Sequence, residues 1–262
     1  FKYWQGVECA FYAAFYRVAT LGSGAGVAAI YYFNERGVPY SKGTGLYTIE
    51  YMLHKVSIAL FAGIFFILNW GYMQKYYSQY DMTLLIGFGV TFVIAAVLLL
   101  FACSKKFHEV LLWIVRKLNR SGKLTEQVKK LEEQCAILED AAATLLKRGG
   151  LIAGCILKNL LKFTFWYGIP FLILAETGKL TLSQGLAVTS LAMMLAAVIP
   201  APAGIGSSEF VLTMLLAKIV GTGAAGSVAL LYRFATFVLP FVIGAVVVVL
   251  WRRVHRSTEK AA

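Results

Sequence analysis

The chain has 262 residues, of which 59% are hydrophobic and only 15% charged, and a mean hydropathy of +0.71. That balance excludes an ordinary water-soluble domain and describes an integral membrane protein. The formal net charge of +12 is then read as membrane topology and attraction to anionic headgroups, since no aromatic-basic module for nucleic acid accompanies it.

Taken in chain order, the apolar stretches Tyr3 to Leu21, Leu46 to Trp70, Met82 to Cys103, Leu151 to Glu176 and Ala225 to Trp251 approach or pass the length needed to cross a bilayer. Leu182 to Ile199 is a shorter sixth. The opening Phe-Lys-Tyr-Trp has no initiator Met and no signal-peptide pattern, so upstream sequence carrying one or more further spans is expected. Cysteines at 9, 103, 135 and 155 form no CxxC pair, and His54, His108 and His255 do not cluster; neither a disulfide framework nor a metal site is expected, and no cofactor.

The polar segment from Ser104 to Gly150 carries ten lysines and arginines, among them Lys105, Lys106, Arg116 and Lys117, and the tail carries Arg252, Arg253 and Arg256. The positive-inside rule puts both in the cytoplasm. Within that segment Phe107, Leu111, Ile114 and Leu118 form one apolar stripe. Leu124, Val128, Leu131, Cys135, Leu138, Ala142 and Leu145 then form a heptad seam. With a break at Asn119 to Gly122 this predicts an amphipathic helical hairpin, lying on the membrane or packing on itself, or else a coiled coil that pairs two copies as a homodimer. The chain thus divides into a first membrane half (1–103), the hairpin (104–150) and a second membrane half (151–262).

Three spans after Leu151 would leave the basic tail outside. The stretch "PAPAGIGSSEFVLTMLLAKIVG" resolves the parity, either as a further crossing or as a re-entrant hairpin with Leu182 to Ile199. Pro200 and Pro202 end the preceding helix, Gly204 and Gly206 permit unusual backbone angles, and Ser207 or Ser208 caps a half-helix over Phe210 to Val220 with Glu209 in its first turn. Backbone broken at membrane depth is tolerated where it is buried in protein or lines a polar cavity. The early segment "LGSGAGVAAIYYFNERGVPYSKGTGLYTIEYML" repeats the order of break, short helix, Gly37 turn and long span. The charge-derived orientations of the two copies are opposite, which predicts an all-α polytopic fold built on an inverted-topology repeat with two broken helices.

Ionisable residues inside such spans are costly unless paired or hydrated. Arg233 lies in the last span with Glu209 as its expected partner, and Arg17 lies in the first. Lys158 and Lys162 share a face of the fourth, where they either serve a site or snorkel outward. Glu50, His54 and Lys55 fall near a span start and are expected at an interface. Two helix N-termini with arginines beside them suit an anion such as a lipid phosphate. No hydrolytic constellation competes, so no catalytic residue is assigned, and the Gly-x-Gly-x-x-Glu at Gly204 to Glu209 follows a helix where a nucleotide fingerprint requires a strand.

"IPAPAGIGSSEF" followed by "SVALLYRFATFVLPFVIG" resembles the lysylphosphatidylglycerol synthase transmembrane-region family, and "RVATLGSGAG" with "NERGVPYSKGTGLYTIEYML" looks like its first-half motif. In its best-known member, the multiple peptide resistance factor, this region is the flippase domain that moves aminoacylated phosphatidylglycerol outward, and a separate soluble domain makes the lipid. The resemblance implies a lipid-handling membrane domain linked to resistance against cationic antimicrobial peptides, with Pro200, Gly204, Gly206, Glu209, Arg233 and, more loosely, Arg17 as motif positions, and a separate synthase as partner. A membrane-embedded lysyltransferase and a small-solute or ion transporter are the other classes left open.

Overall fold

The computed structural model describes residues 2–78, 89–90, 92–93, 96–97, 105–118, 125–146, 148–199 and 201–259. Most of the expected span at 82–103, the break at 119–122, and Pro200 lie outside the described residues. Every described element is helical, as an all-α membrane protein requires.

The first half opens with α1 (Tyr3–Ala19), whose leading N–H from Lys2 is taken by the Gln5 side chain at 2.7 Å. Thr20 both ends α1 and starts α2 (Gly24–Asn34): its hydroxyl donates to the Tyr16 carbonyl at 2.7 Å and accepts from the Gly24 N–H at 2.6 Å. A turn at Gly37, where φ is +82°, and Pro39 at the cap position lead into α3 (Tyr40–Leu68). The long helix therefore begins six residues before the expected Leu46, because Pro39 presets the backbone for a helix start. Asn69 separates α3 from α4 (Trp70–Tyr77) and donates to the Ser183 side chain at 2.8 Å, tying this corner to the second half.

The hairpin consists of α5 (Lys105–Leu118) and α6 (Thr125–Leu146), clamped where Arg116 donates through Nε and Nη2 to one Glu132 oxygen at 3.0 and 2.6 Å. Val128 and Cys135 of the heptad seam are buried, and α6 lies against α3. The expected α5 stripe is rotated: His108 is buried with Leu111, Leu112 and Val115 beside it, whereas Ile114 is exposed. Packing onto α6 selects one narrow face of α5, and apolar residues on both sides of α5 left the choice open.

The second half holds α7 (Gly149–Leu174), α8 (Leu182–Ala196), a 3₁₀ turn at Pro202–Gly204, α9 (Ser207–Val220), α10 (Thr222–Arg233), a π turn at Phe234–Val238 and α11 (Leu239–Glu259). Thr181 and Gln184 cap α8 reciprocally, at 3.3 and 2.9 Å. Gly221, with φ of +85°, makes the turn between α9 and α10. The π turn sits two residues before Pro240, whose missing N–H already denies the helix one regular bond.

Among the described residues three segments are long and apolar enough to cross a membrane: α3, Pro202–Val220, and Thr222–Arg253. The α7 helix is longer than a bilayer needs, but Lys158, Asn159 and Lys162 interrupt its apolar run. The sequential repeat reappears in the packing. Within each half a run of helix, break, shorter helix, glycine turn and long helix recurs, starting at α1 in the first half and at α8 in the second, and the helix that starts each run packs on the long helix of the other: α1 on α11 and α8 on α3. The main core gathers α8, α9 and α10 around Met73 and Tyr77, whose hydroxyl donates to the Leu215 carbonyl at 2.9 Å. A second core stacks Tyr12, Tyr32 and Trp251 between α1, α2 and α11.

The α1–α11 contact depends on Gly244, where an added Cβ would meet the Phe11 carbonyl and, at 3.0 Å, the Phe15 Cβ. Gly244→Ala is therefore expected to force the helices apart and destabilise the protein by about 1–3 kcal/mol, as overpacking does. Gly63→Ala, with nothing near its Cβ, should be neutral or slightly stabilising in the same detergent thermal-melt measurement.

Candidate functional site

The two backbone breaks meet. In the first, Leu21 has a φ of +53° and Gly22 of +108°; in the second, Ala203 has +53°, Gly204 +68° and Gly206 +84°. A Cβ on Gly22 would lie 3.2 Å from the Ala203 nitrogen, so only glycine lets one break approach the other. Leu21 and Ala203 hold a left-handed conformation that side chains resist, which marks both breaks as held in place by their surroundings.

Arg233, the last residue of α10, supplies much of that hold. Its Nη2 donates to the Ala203 carbonyl at 3.0 Å and its Nε pairs with Glu209 Oε1 at 3.1 Å. The other Glu209 oxygen accepts the Gly206 N–H and the Ser208 hydroxyl, both at 2.9 Å. One carboxylate thus closes the start of α9 and neutralises the arginine, with side-chain exposures of 15% for Arg233 and 22% for Glu209. These values leave the pair shielded yet reachable. The guanidinium also lies 3.8 Å from the centre of the Phe237 ring, which Arg17 of α1 approaches to 5.5 Å. The expected partnership of Arg233 with Glu209 is present, and Arg17 joins it through a shared aromatic ring.

Ser207 and Ser208 depart from the expectation that one of them caps the helix. Gly206 occupies the cap position, and both buried serines lie inside α9: Ser207 donates backward to the Gly204 carbonyl at 3.3 Å, and the one Ser208 proton is shared between that carbonyl and Glu209, each 2.9 Å away. Glu209 provides the cap instead, because a longer side chain placed three residues into the helix reaches back to the N–H that glycine cannot serve. Adjacent to Glu209, a groove of about 590 Å³ runs between α9 and α10, lined by Phe210, Met214, Ala217 and Leu230 among others. Phe210 and Leu230 are exposed at 64% and 67%, so the groove is open to the outside of the protein.

The lysines belong elsewhere. Lys162, halfway along α7, donates to Asn159 Oδ1 at 2.8 Å and contacts His54 Nδ1 at 3.1 Å, with its ammonium near the rings of Phe163 and Trp166. His54 consequently faces α7 from the middle of α3, its ring tilted against that of Phe163 with the centroids 5.2 Å apart. Lys158 is exposed one turn away. Phe237 and the Ala203 carbonyl are the site groups that sequence reasoning missed. The i, i+4 spacing of Arg233 and Phe237 carried a signal for the first; the second is a backbone group and carried none. Among the described residues no cluster of His, Cys, Asp and Glu could hold a metal.

Breaking this network from the acidic side removes the α9 cap and strands Arg233. Glu209→Ala should cost about 3 kcal/mol or more, the range for one partner lost from a shielded pair. A thermodynamic cycle with Arg233→Ala should return a coupling of about 1–3 kcal/mol in denaturation measurements. Additive effects would mean that the two groups are neighbours without being partners.

No curated protein and no solved structure matched the chain in comparison. The sequence profile of the lysylphosphatidylglycerol synthase TM region matches residues 1–244. That match extends over both broken segments and their arginines, and the chain belongs to the lysylphosphatidylglycerol synthase TM region family.

Proposed function

We propose that this membrane protein translocates phospholipids, handling an anionic or aminoacylated headgroup at the Arg17, Glu209 and Arg233 site while the acyl chains stay in the α9–α10 groove. The observation that carries the reading is the juxtaposition of a shielded, already neutralised arginine with a groove open to the side. A phosphate reaching Arg233 exchanges with the Glu209 carboxylate, one anion for another, so the guanidinium is never left bare in a medium where that would be costly. An aminoacyl ammonium would in turn find the released carboxylate. Arg17, near the same Phe237 ring, offers the second cation. In this reading the two breaks lie within the membrane, the α8–α9 pair is re-entrant, and the hairpin and tail share the cytoplasmic side. The partners are membrane phospholipids and a separate synthase that makes the aminoacylated lipid. The family name points to a phosphatidylglycerol lysyltransferase as the second reading; it would require a nucleophile or base beside the headgroup, a role the ion pair does not fill.

Two measurements test these points. In proteoliposomes with a fluorescent phosphatidylglycerol, the protein is expected to speed exchange between leaflets. Arg233→Lys, which keeps the charge but loses the planar fork, should slow exchange roughly tenfold, the worth of a hydrogen bond to a charged group. Equal rates for protein-free vesicles, wild type and variant would sink the proposal, and lipid gaining an aminoacyl mass from an added donor would favour the transferase. For topology, cysteines at the exposed positions Lys129 and Arg253 should both resist a membrane-impermeant reagent in intact cells and react after lysis. Labelling of just one in intact cells would remove the shared cytoplasmic side.

A further inference from the structure

The α5 helix presents a second apolar face that its own fold leaves uncovered. His108, Leu111, Leu112 and Val115 point toward the hairpin, whereas Val110, Trp113 and Ile114 are 55%, 60% and 42% exposed. At about 100° per residue, Lys106, Val110, Trp113, Ile114 and Lys117 fall within one arc of roughly 100° on the outer side. The apolar residues sit in the middle and a lysine stands near each end. Lys117 folds over the Trp113 ring, 4.7 Å from its centre, so its stem extends the apolar surface while its charge stays at the edge. Arg116 is committed to Glu132, and Glu109 is the only acidic side chain on α5.

We infer that this face of α5 docks on the surface of an anionic lipid bilayer, with Trp113 at headgroup depth and Lys106 and Lys117 against lipid phosphates. Tryptophan and lysine around a narrow apolar stripe are the composition of helices that lie in the membrane interface. A second copy of the chain is a poorer occupant. Three side chains offer far less than the roughly 800 Å² per partner that a stable protein interface buries, and two copies of the stripe would set lysine against lysine. The hairpin is also fixed to the membrane body, since α6 lies against α3, so α5 meets the bilayer already positioned. The docking needs only that the chain is a membrane protein and is independent of the translocation proposal.

The test uses the full chain in vesicles, with a fluorescent bimane on Val110→Cys and with Cys103 and Cys155 replaced by serine. In vesicles rich in phosphatidylglycerol the probe should be shielded from iodide and quenched by lipids spin-labelled near the headgroup. In pure phosphatidylcholine, or at high salt, it should return toward water. Lys106→Gln and Lys117→Gln, both on the surface, should each shift the balance toward the exposed state about fivefold. Equal iodide access in the two kinds of vesicle would overturn the inference. Shielding that grows with the protein-to-lipid ratio would overturn it too, by showing that a second copy covers the stripe.

Discussion

A helix interrupted inside a protein leaves backbone N–H and C=O groups shielded from water, and each must find a partner within the protein. Glu209 and Arg233 meet that demand together. The carboxylate takes the N–H at the start of α9, the guanidinium takes the carbonyl of the left-handed Ala203, and the two side chains neutralise each other. The local fold of the second break and the charge balance of the site are therefore one arrangement. Whatever binds there must work with an ion pair that also holds the backbone in shape.

The two halves solve the same problem with different chemistry. At the first break the partners are neutral hydroxyls: that of Thr20 ends one helix and begins the next, and that of Ser23 donates to the Thr20 carbonyl. At the second the partners are ionised. Since the breaks touch at Gly22 and Ala203, and α1 and α8 each pack on the long helix of the opposite half, a displacement of either break is felt by both halves. Phe237 extends this link to the side chains, because Arg17 from the first half and Arg233 from the second converge on its ring. The π turn that carries Phe237 places an irregular element next to the charges. This asymmetry within a repeated frame supports the proposed binding and release of a charged headgroup.

Much of this was legible in the residues. The prolines and glycines of "PAPAGIGSSEF" marked the second break because each constrains the backbone in a known way, and a buried arginine in an apolar span called for an acid, which Glu209 supplied. The repeat was readable as an order of breaks and helices. What escaped were features set by three-dimensional contact. The capping role went to Glu209 because Gly206, not a serine, took the cap position, and nothing local distinguishes the two alternatives. The contact of His54 with Lys162 joins α3 to α7 across more than a hundred residues, and no local pattern in either helix announces it. The outer face of α5 was hidden for a related reason: the helix has apolar residues on two sides, and only the packing of α6 decides which side is left over.

The central claim is that Arg17 and Arg233 form a phosphate-binding place in the interior of the membrane protein. It is tested most directly by solid-state NMR, measuring dipolar coupling between lipid ³¹P and the side-chain ¹⁵N of arginine-labelled protein in phosphatidylglycerol bilayers. The account predicts arginine signals dephased by phosphorus that disappear in the spectra of Arg233→Lys and Arg17→Lys while interfacial arginine signals persist. Phosphorus-dephased signals unchanged by both substitutions would contradict it.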